Sequence, residues 1–243
     1  VKNSLVFKNV EIGFINKTLI NNFSASVKGG SIISVVGGNG LGKTCLLKTI
    51  AGIHKIKSGN ILLNGQELST FPIRDFAQNT AFVSTEKRRN LIYSVFEILT
   101  LGRSPYTSWN SHLKDVDYHL IESVAKKMKL ENLLSHSFSE LSDGQQQKVM
   151  IGRAIVQNPN LLILDEPLSF LDINSKAGLL NYFRELANEK EMIIIFSTHD
   201  FMKIKEVVNE MWITGENNLI IQGSPAELEE AGLIKKYFGL NLN

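Results

Sequence analysis

The chain has 243 residues, 43% of them hydrophobic and 21% charged, which fits one large globular domain with a substantial core and room for an inserted subdomain. Its formal net charge is only +2, from 26 basic and 24 acidic residues spread along the sequence, so neither nucleic acid nor an anionic membrane is an expected partner. The single cysteine, Cys45, excludes an intramolecular disulfide and a thiolate metal cluster, and apolar runs such as residues 192–196 are too short to span a bilayer. No secretory leader is expected, because Val1-Lys2-Asn3-Ser4 is not followed by a long apolar stretch. The basic run Lys87-Arg88-Arg89 reads as a solvated loop.

Strand-like runs open the chain at residues 5–10 and 23–27, with the turn-prone Ile15-Asn16-Lys17 between them. Residues 31–36 form a β-branched run of the kind buried on both faces, and Gly37 ends it. Residues 43–51 then read as a helix stopping near Gly52, and residues 61–63 before Asn64-Gly65 as a hairpin. From about residue 95 to 157 the apolar period is helical. Strand character returns at residues 161–164 and 192–197, separated by a helix over 175–188. A hairpin of residues 211–214 and 219–221 and one or two short helices close the chain. The expected architecture is an α/β nucleotide-binding core with an N-terminal antiparallel β subdomain and an inserted α-helical subdomain. The core would comprise 1–85 and 158–243, and the insertion 86–157.

Four segments carry chemistry. Gly37-Gly38-Asn39-Gly40-Leu41-Gly42-Lys43-Thr44 lies between a buried strand and a helix, the context in which a glycine-rich turn cradles phosphates. Lys43 would reach the β- and γ-phosphates of ATP, and the Thr44 hydroxyl would ligate Mg²⁺. In Leu161-Leu162-Ile163-Leu164-Asp165-Glu166 an apolar strand would deliver Asp165 to the magnesium and Glu166 to the attacking water as general base. Taken alone, two acids at a strand end also describe a solvated terminus. Ser142-Asp143-Gly144-Gln145 opens a helix, either as an anion-binding helix start or as a plain N-cap. His199, in Ser197-Thr198-His199-Asp200, is either structural or a γ-phosphate sensor.

With these motifs in this order, the sequence resembles the ATP-binding-cassette (ABC) ATPases over essentially its whole length. Residues 37–44 resemble the Walker A motif, 161–166 Walker B, 141–145 the signature, Leu168-Ser169-Phe170-Leu171-Asp172 the D-loop, and His199 the switch histidine. Phe14 occupies the place of the family's adenine-stacking aromatic, although an aromatic there also suits core packing. The resemblance implies a P-loop fold and a head-to-tail pair of cassettes, with a second copy the expected partner. In that pair, Ser142, Gly144 and Gln145 of one subunit close over ATP held by the other, and Asp172 of the D-loop is counted among the nucleotide-binding residues.

The segment Val95-Phe96-Glu97-Ile98-Leu99-Thr100-Leu101-Gly102-Arg103-Ser104-Pro105 is similar to the importers of iron–siderophore, haem and cobalamin. That likeness implies an integral-membrane permease as partner, indirectly a substrate-binding protein, and a place on the cytoplasmic face of the membrane. Residues 85–106 would then form the permease contact. A soluble cassette acting on nucleic acid or ribosomes and a weakly hydrolysing regulatory cassette are the competing readings. Four positions depart from the family pattern, one of them Phe170, which is bulkier than usual for a D-loop that keeps its Asp172. Thr85, followed by Glu86, stands where the Q-loop glutamine that meets Mg²⁺ is expected, with Gln78 nearby but out of register; Cys45 replaces a Ser or Thr beside the phosphates; and Asp143 replaces a signature glycine.

Overall fold

The computed structural model describes residues 3–84, 92–107 and 112–238. Two sheets organise them. The first is antiparallel, in the order β2-β1-β4-β5, from β1 (Ser4–Phe14), β2 (Lys17–Lys28), β4 (Ser58–Leu63) and β5 (Gln66–Glu67). The first two strands run longer than expected, and their hairpin reverses at Ile15 and Asn16 with Phe14 paired to Lys17. Asn64-Gly65 turns β4 into β5, with Leu63 opposite Gln66.

The second sheet has the order β10-β9-β3-β8-β7-β6. It contains β3 (Ile32–Gly37), β6 (Thr80–Val83), β7 (Leu161–Leu164), β8 (Ile193–Ser197), β9 (Glu210–Thr214) and β10 (Ile220–Gly223). All pairings are parallel except β9 with β10. Its helices are α1 (Lys43–Ile50), α2 (Ile73–Asn79), α6 (Ile173–Lys190), α7 (Phe201–Ile204), α8 (Pro225–Glu230) and α9 (Leu233–Phe238). The stretch between β6 and β7 adds α3 (Val95–Thr100), α4 (Asp115–Met128) and α5 (Asp143–Val156).

The side-chain period of two sends alternate residues of β3, β7 and β8 to opposite cores, so these strands are buried on both faces and apolar except for Ser34 and Ser197. Ile33, Val35, Leu161, Ile163, Ile193 and Ile195 face one core, shared with α1 and the antiparallel sheet. Ile32, Val36, Leu162, Leu164, Ile194 and Phe196 face the other, shared with α5 and α6. The first core is locked by Trp212, fully buried and edge-on to Phe7 at 5.4 Å and to Phe23 at 5.0 Å. Such aromatic contacts add to the burial of large apolar surfaces and tie the two sheets together.

The helical region is fastened by Arg103. Its Nε donates to Asp117 Oδ1 at 2.7 Å, its Nη1 to the Val156 carbonyl at 3.1 Å, and its guanidinium lies 3.9 Å from the Tyr106 ring centre. One side chain therefore joins the ends of α3, α4 and α5. Pro105 bonds the other way, its carbonyl accepting from Arg74 Nε and Gln78 Nε2 on α2. Gly-Arg-x-Pro, which carries a resemblance in sequence, is a structural clamp in three dimensions.

Burial alone would raise the Asp117 carboxyl, but the Lys114 backbone N–H and the Arg103 guanidinium outweigh it and hold its pKa below the ordinary value. A carboxyl depressed on folding adds stability above its unfolded pKa, near 4, and loses it as pH falls through the lower folded value. Asp117→Asn is therefore expected to reduce the loss of stability on acidification, whereas Arg103→Ala, which strands a buried carboxylate, should cost about 3–5 kcal/mol at neutral pH. Urea unfolding at neutral and acid pH measures both. Unchanged acid sensitivity in D117N would remove the clamp from the account.

Candidate active site

Strand β3 is buried along its whole length and ends at Gly37, whose φ of +143° lies outside the region L side chains favour. A Cβ there would sit 2.3 Å from Thr214 Oγ1 and 2.5 Å from the Thr214 carbonyl, so the neighbouring strand leaves no room for one. The Thr214 hydroxyl donates to the Val36 carbonyl at 3.1 Å, fixing the last peptide before the loop. Gly38, Asn39 and Gly40 are exposed, Leu41 is half-buried, and Gly42 caps α1. The free N–H groups of the first turn of α1 and its dipole favour an anion at this point.

Lys43 is only 7% exposed. Its Nζ donates to the Gly37 carbonyl at 2.8 Å and the Gly38 carbonyl at 2.9 Å, so the ammonium spans the loop from inside. Burial pushes its pKa down, while the charges of Glu166 and Asp165 act in the opposite sense. The cation thus stands close to both acids with its proton donors turned to the loop.

The acids arrive from β7. The Asp165 N–H donates to the Val83 carbonyl at 2.9 Å, which extends the β6–β7 pairing by one step. Asp165 is 3% exposed, and both its oxygens are occupied: Thr44 Oγ1 donates to Oδ2 at 2.9 Å and Ser197 Oγ to Oδ1 at 2.6 Å. Glu166 leaves the strand direction with a φ of +46°. Its Oε1 lies 2.9 Å from His199 Nε2, and its Oε2 accepts from Ser169 Oγ at 3.2 Å. These residues line a cavity of about 240 Å³ with Lys176, Thr198 and Asp200. Asp200 is itself paired with Lys176 at 3.5 Å and Lys203 at 3.1 Å.

The donor set suits magnesium. Among the described residues no group of three or more His, Cys, Asp or Glu side chains forms a cage. A hydroxyl and a carboxylate side by side, Thr44 and Asp165, are hard oxygen donors of the sort that hold magnesium together with phosphates and waters.

Ser142 and Gln145 lie elsewhere. They form a capping box at the start of α5, Gln145 N donating to Ser142 Oγ at 3.3 Å and Ser142 N to Gln145 Oε1 at 2.9 Å. The plain N-cap therefore describes their local geometry. Gly144 answers a different need, because a Cβ on it would lie 2.7 Å from the Phe170 carbonyl. Asp172 caps α6, accepting from Ser175 N at 2.9 Å and from the Ser175 hydroxyl at 2.6 Å. The Ser175 hydroxyl, then the Ser175 backbone, hold the Asp172 carboxyl below its ordinary pKa. Signature and D-loop line a common cavity of about 540 Å³ that touches none of the phosphate-loop residues.

Phe14 is 56% exposed at the rim of a cavity of about 750 Å³ lined also by Ile53, His54 and Lys57, so the core-packing alternative does not hold. The Cys45 thiol is buried, 3.7 Å from His54 Nδ1, and burial pushes its pKa up. Gln78 lies on α2, its side-chain amide nitrogen donating to the Pro105 carbonyl and its backbone carbonyl accepting from Tyr106 OH, which removes it as a substitute for the Q-loop glutamine. Thr85 and Glu86 lie outside the described residues. Sequence reasoning missed Ser197, Ser169 and Thr214 as contacts of the site. The step that would have found Ser197 is to carry the β7–β8 register, in which Leu164 faces Phe196, one residue further.

A family model described as ABC transporter matches residues 20–169. The chain belongs to the ABC transporter family. An ABC transporter ATP-binding protein of Methanocaldococcus jannaschii, itself uncharacterised, is 34% identical over 233 residues, covering 96% of this chain and 80% of the relative. The iron(3+)-hydroxamate import ATP-binding protein of Bacillus subtilis is 26% identical over 239 residues, covering 98% and 89%. A solved ABC transporter assigned to the metal-chelate type, in an inward-facing conformation, matches with a TM-score of 0.83 at 26% identity, over 98% of this chain and 90% of that one. This ABC cassette is accordingly an ATP-binding ATPase of the transport-coupled class, with the mixed α/β fold of its solved relatives.

Gly37→Ala forces a methyl against Thr214 in a backbone region costly for any other residue, by about 1–3 kcal/mol. The loop should shift, and ATP affinity measured by calorimetry should fall by about tenfold or more, since 1.4 kcal/mol is a factor of ten. Wild-type affinity in G37A would show that the observed loop geometry is not the binding geometry.

Proposed function

We propose that this chain is the ATP-hydrolysing subunit of an importer that takes up a metal chelate, such as an iron–siderophore, haem or cobalamin, through a membrane permease. The observation that carries the catalytic part is the convergence of Lys43, Thr44, Asp165, Glu166 and His199 at one end of β3, β7 and β8. Residues 37–44, with Cys45 through its backbone N–H, bind the triphosphate. Phe14 stacks on adenine from its exposed position. Thr44 and Asp165 hold Mg²⁺, with Thr85 assigned to the same ion by its place in the sequence. Magnesium, when bound, neutralises phosphate charge in the transferring group. Glu166 takes a proton from the attacking water, and His199, within hydrogen-bond distance of Glu166, fixes its carboxylate and senses the γ-phosphate.

The signature cavity supports a head-to-tail homodimer. Ser142, Gly144, Gln145 and Asp172 are grouped, and their cavity touches no residue of their own chain's phosphate loop. They therefore serve the nucleotide of a second copy. In this reading the core comprises 1–85 and 158–243, and the helical subdomain 86–157 carries the signature. The exposed Ile92, Tyr93, Leu101 and Tyr106 at its edge meet the permease on the cytoplasmic face of the membrane. Among the described residues no helix is long and apolar enough to cross a membrane, so attachment through a permease suits the chain. The Bacillus subtilis relative, the metal-chelate structure and the Gly-Arg-x-Pro segment support the substrate class.

Glu166→Gln is expected to lower ATP turnover by about 10²–10⁴-fold while leaving ATP binding intact, the usual scale for loss of a general base. Wild-type turnover in E166Q would overturn the catalytic assignment. Purification with a multi-span membrane protein, and ATP-dependent uptake of a ferric chelate by vesicles holding both, test the transport part. Uptake of a different solute class by the same vesicles would contradict the chelate assignment.

A further inference from the structure

Ser197 is fully buried at the end of β8, the strand that separates β3 from β7. Its hydroxyl makes two short bonds with adjacent residues of the acid strand. It donates to Asp165 Oδ1 at 2.6 Å and accepts from the Glu166 backbone N–H at 2.8 Å. A serine hydroxyl has one proton and two lone pairs, so a single atom can serve as donor to one acid and acceptor for the next. Neither bond involves nucleotide.

Both acids need this partner. Asp165 is buried, and its second oxygen is shared with Thr44, whose own oxygen is offered to magnesium in the proposed reading. The Ser197 bond is thus the anchor of the carboxylate that stays the same whatever Thr44 does. Glu166 has a left-handed backbone at φ +46°, an uncommon conformation for a non-glycine residue, and its N–H has turned away from the strand pairing that ends at Asp165. Ser197 gives that N–H its partner and thereby holds the bend that aims Glu166 at His199.

We propose that Ser197 is a positioning residue that fixes the Asp165 carboxylate and the Glu166 backbone in one geometry, so that metal and attacking water are presented together. The inference rests on the proposed roles of Asp165 and Glu166. It assigns Ser197 no contact with nucleotide. Its effect is therefore on turnover and on the metal, and ATP affinity without metal is untouched.

The test uses the full chain with S197A, S197T, D165N, E166Q and the double variant D165N/S197A. S197A should lower kcat by about 10–100-fold, the scale of small misplacements of reacting groups, with KM for ATP changed less than about threefold. It should also raise the Mg²⁺ concentration that half-saturates nucleotide binding, a readout independent of turnover. Ser197→Thr keeps the hydroxyl and should recover most of the metal response; if its extra methyl prevents folding, thermal unfolding will show it and the double variant decides. In metal-free protein, S197A should lower Tm in the wild-type background and lower it less when Asp165 is already Asn, since contacting residues couple. Wild-type kcat and Mg²⁺ dependence in S197A, beside an inactive E166Q, would overturn the positioning role alone. Wild-type turnover in E166Q would instead overturn the reading on which it rests.

Discussion

A single hydrogen bond of 2.9 Å, from the Thr44 hydroxyl to the Asp165 carboxylate, joins residues 121 positions apart and depends on the whole parallel sheet. Thr44 lies in the first turn of α1, across the phosphate loop from the end of β3, and Asp165 follows directly on β7, with β8 between the two strands. The two meet only if all three strands end at the same level. That level is set by registers such as Ile32 opposite Ile194 and Leu162 opposite Ile194. A slip of one residue in either pairing would turn every apolar side chain of the strand to the wrong core and carry the acid away from the loop. Core packing and site geometry are therefore one constraint.

The same economy of position applies to charge. Lys43 is buried with its protons on the carbonyls of Gly37 and Gly38, and Asp165 is buried with both oxygens occupied. Buried charges are tolerated when they are hydrogen-bonded and near an opposite charge. Here the cation and the acids supply that for each other across a gap that a triphosphate and its metal would enter. Signature and D-loop use a different logic. Ser142 and Asp172 cap helices and Gly144 lets α5 approach the D-loop backbone, so their stability is local, and the proposed dimer is what gives them a function at an interface.

Much of this is legible in the amino-acid sequence alone. Residues 31–36, 161–164 and 192–197 announce strands buried on both faces, and Asn64-Gly65 announces its hairpin. The phosphate loop is legible because its chemistry tolerates few substitutions. What escaped detection has physical reasons. Helix α2 buries no residue, so it carries no apolar period. The irregular registers between Phe7, Val10 and Ile12 break the alternation in β1, which concealed its true length. Ser197 looks like any polar residue at a strand end, and its role exists only through β7 beside it. Arg103 carried a family likeness in sequence, while its physical work, bonding Asp117 and Val156, depends on contacts between distant helices. Phe14 was ambiguous because pattern alone does not separate a buried aromatic from one at a cavity rim.

The central claim is that Thr44 and Asp165 together hold the metal of a metal–ATP complex. Replacing magnesium with manganese makes the ion visible to electron paramagnetic resonance. In the ATP-bound chain the manganese signal should be that of a protein-held ion, and Thr44→Ala and Asp165→Asn should each alter it while nucleotide stays bound. An identical signal in wild type and both variants would place the metal elsewhere and contradict the account.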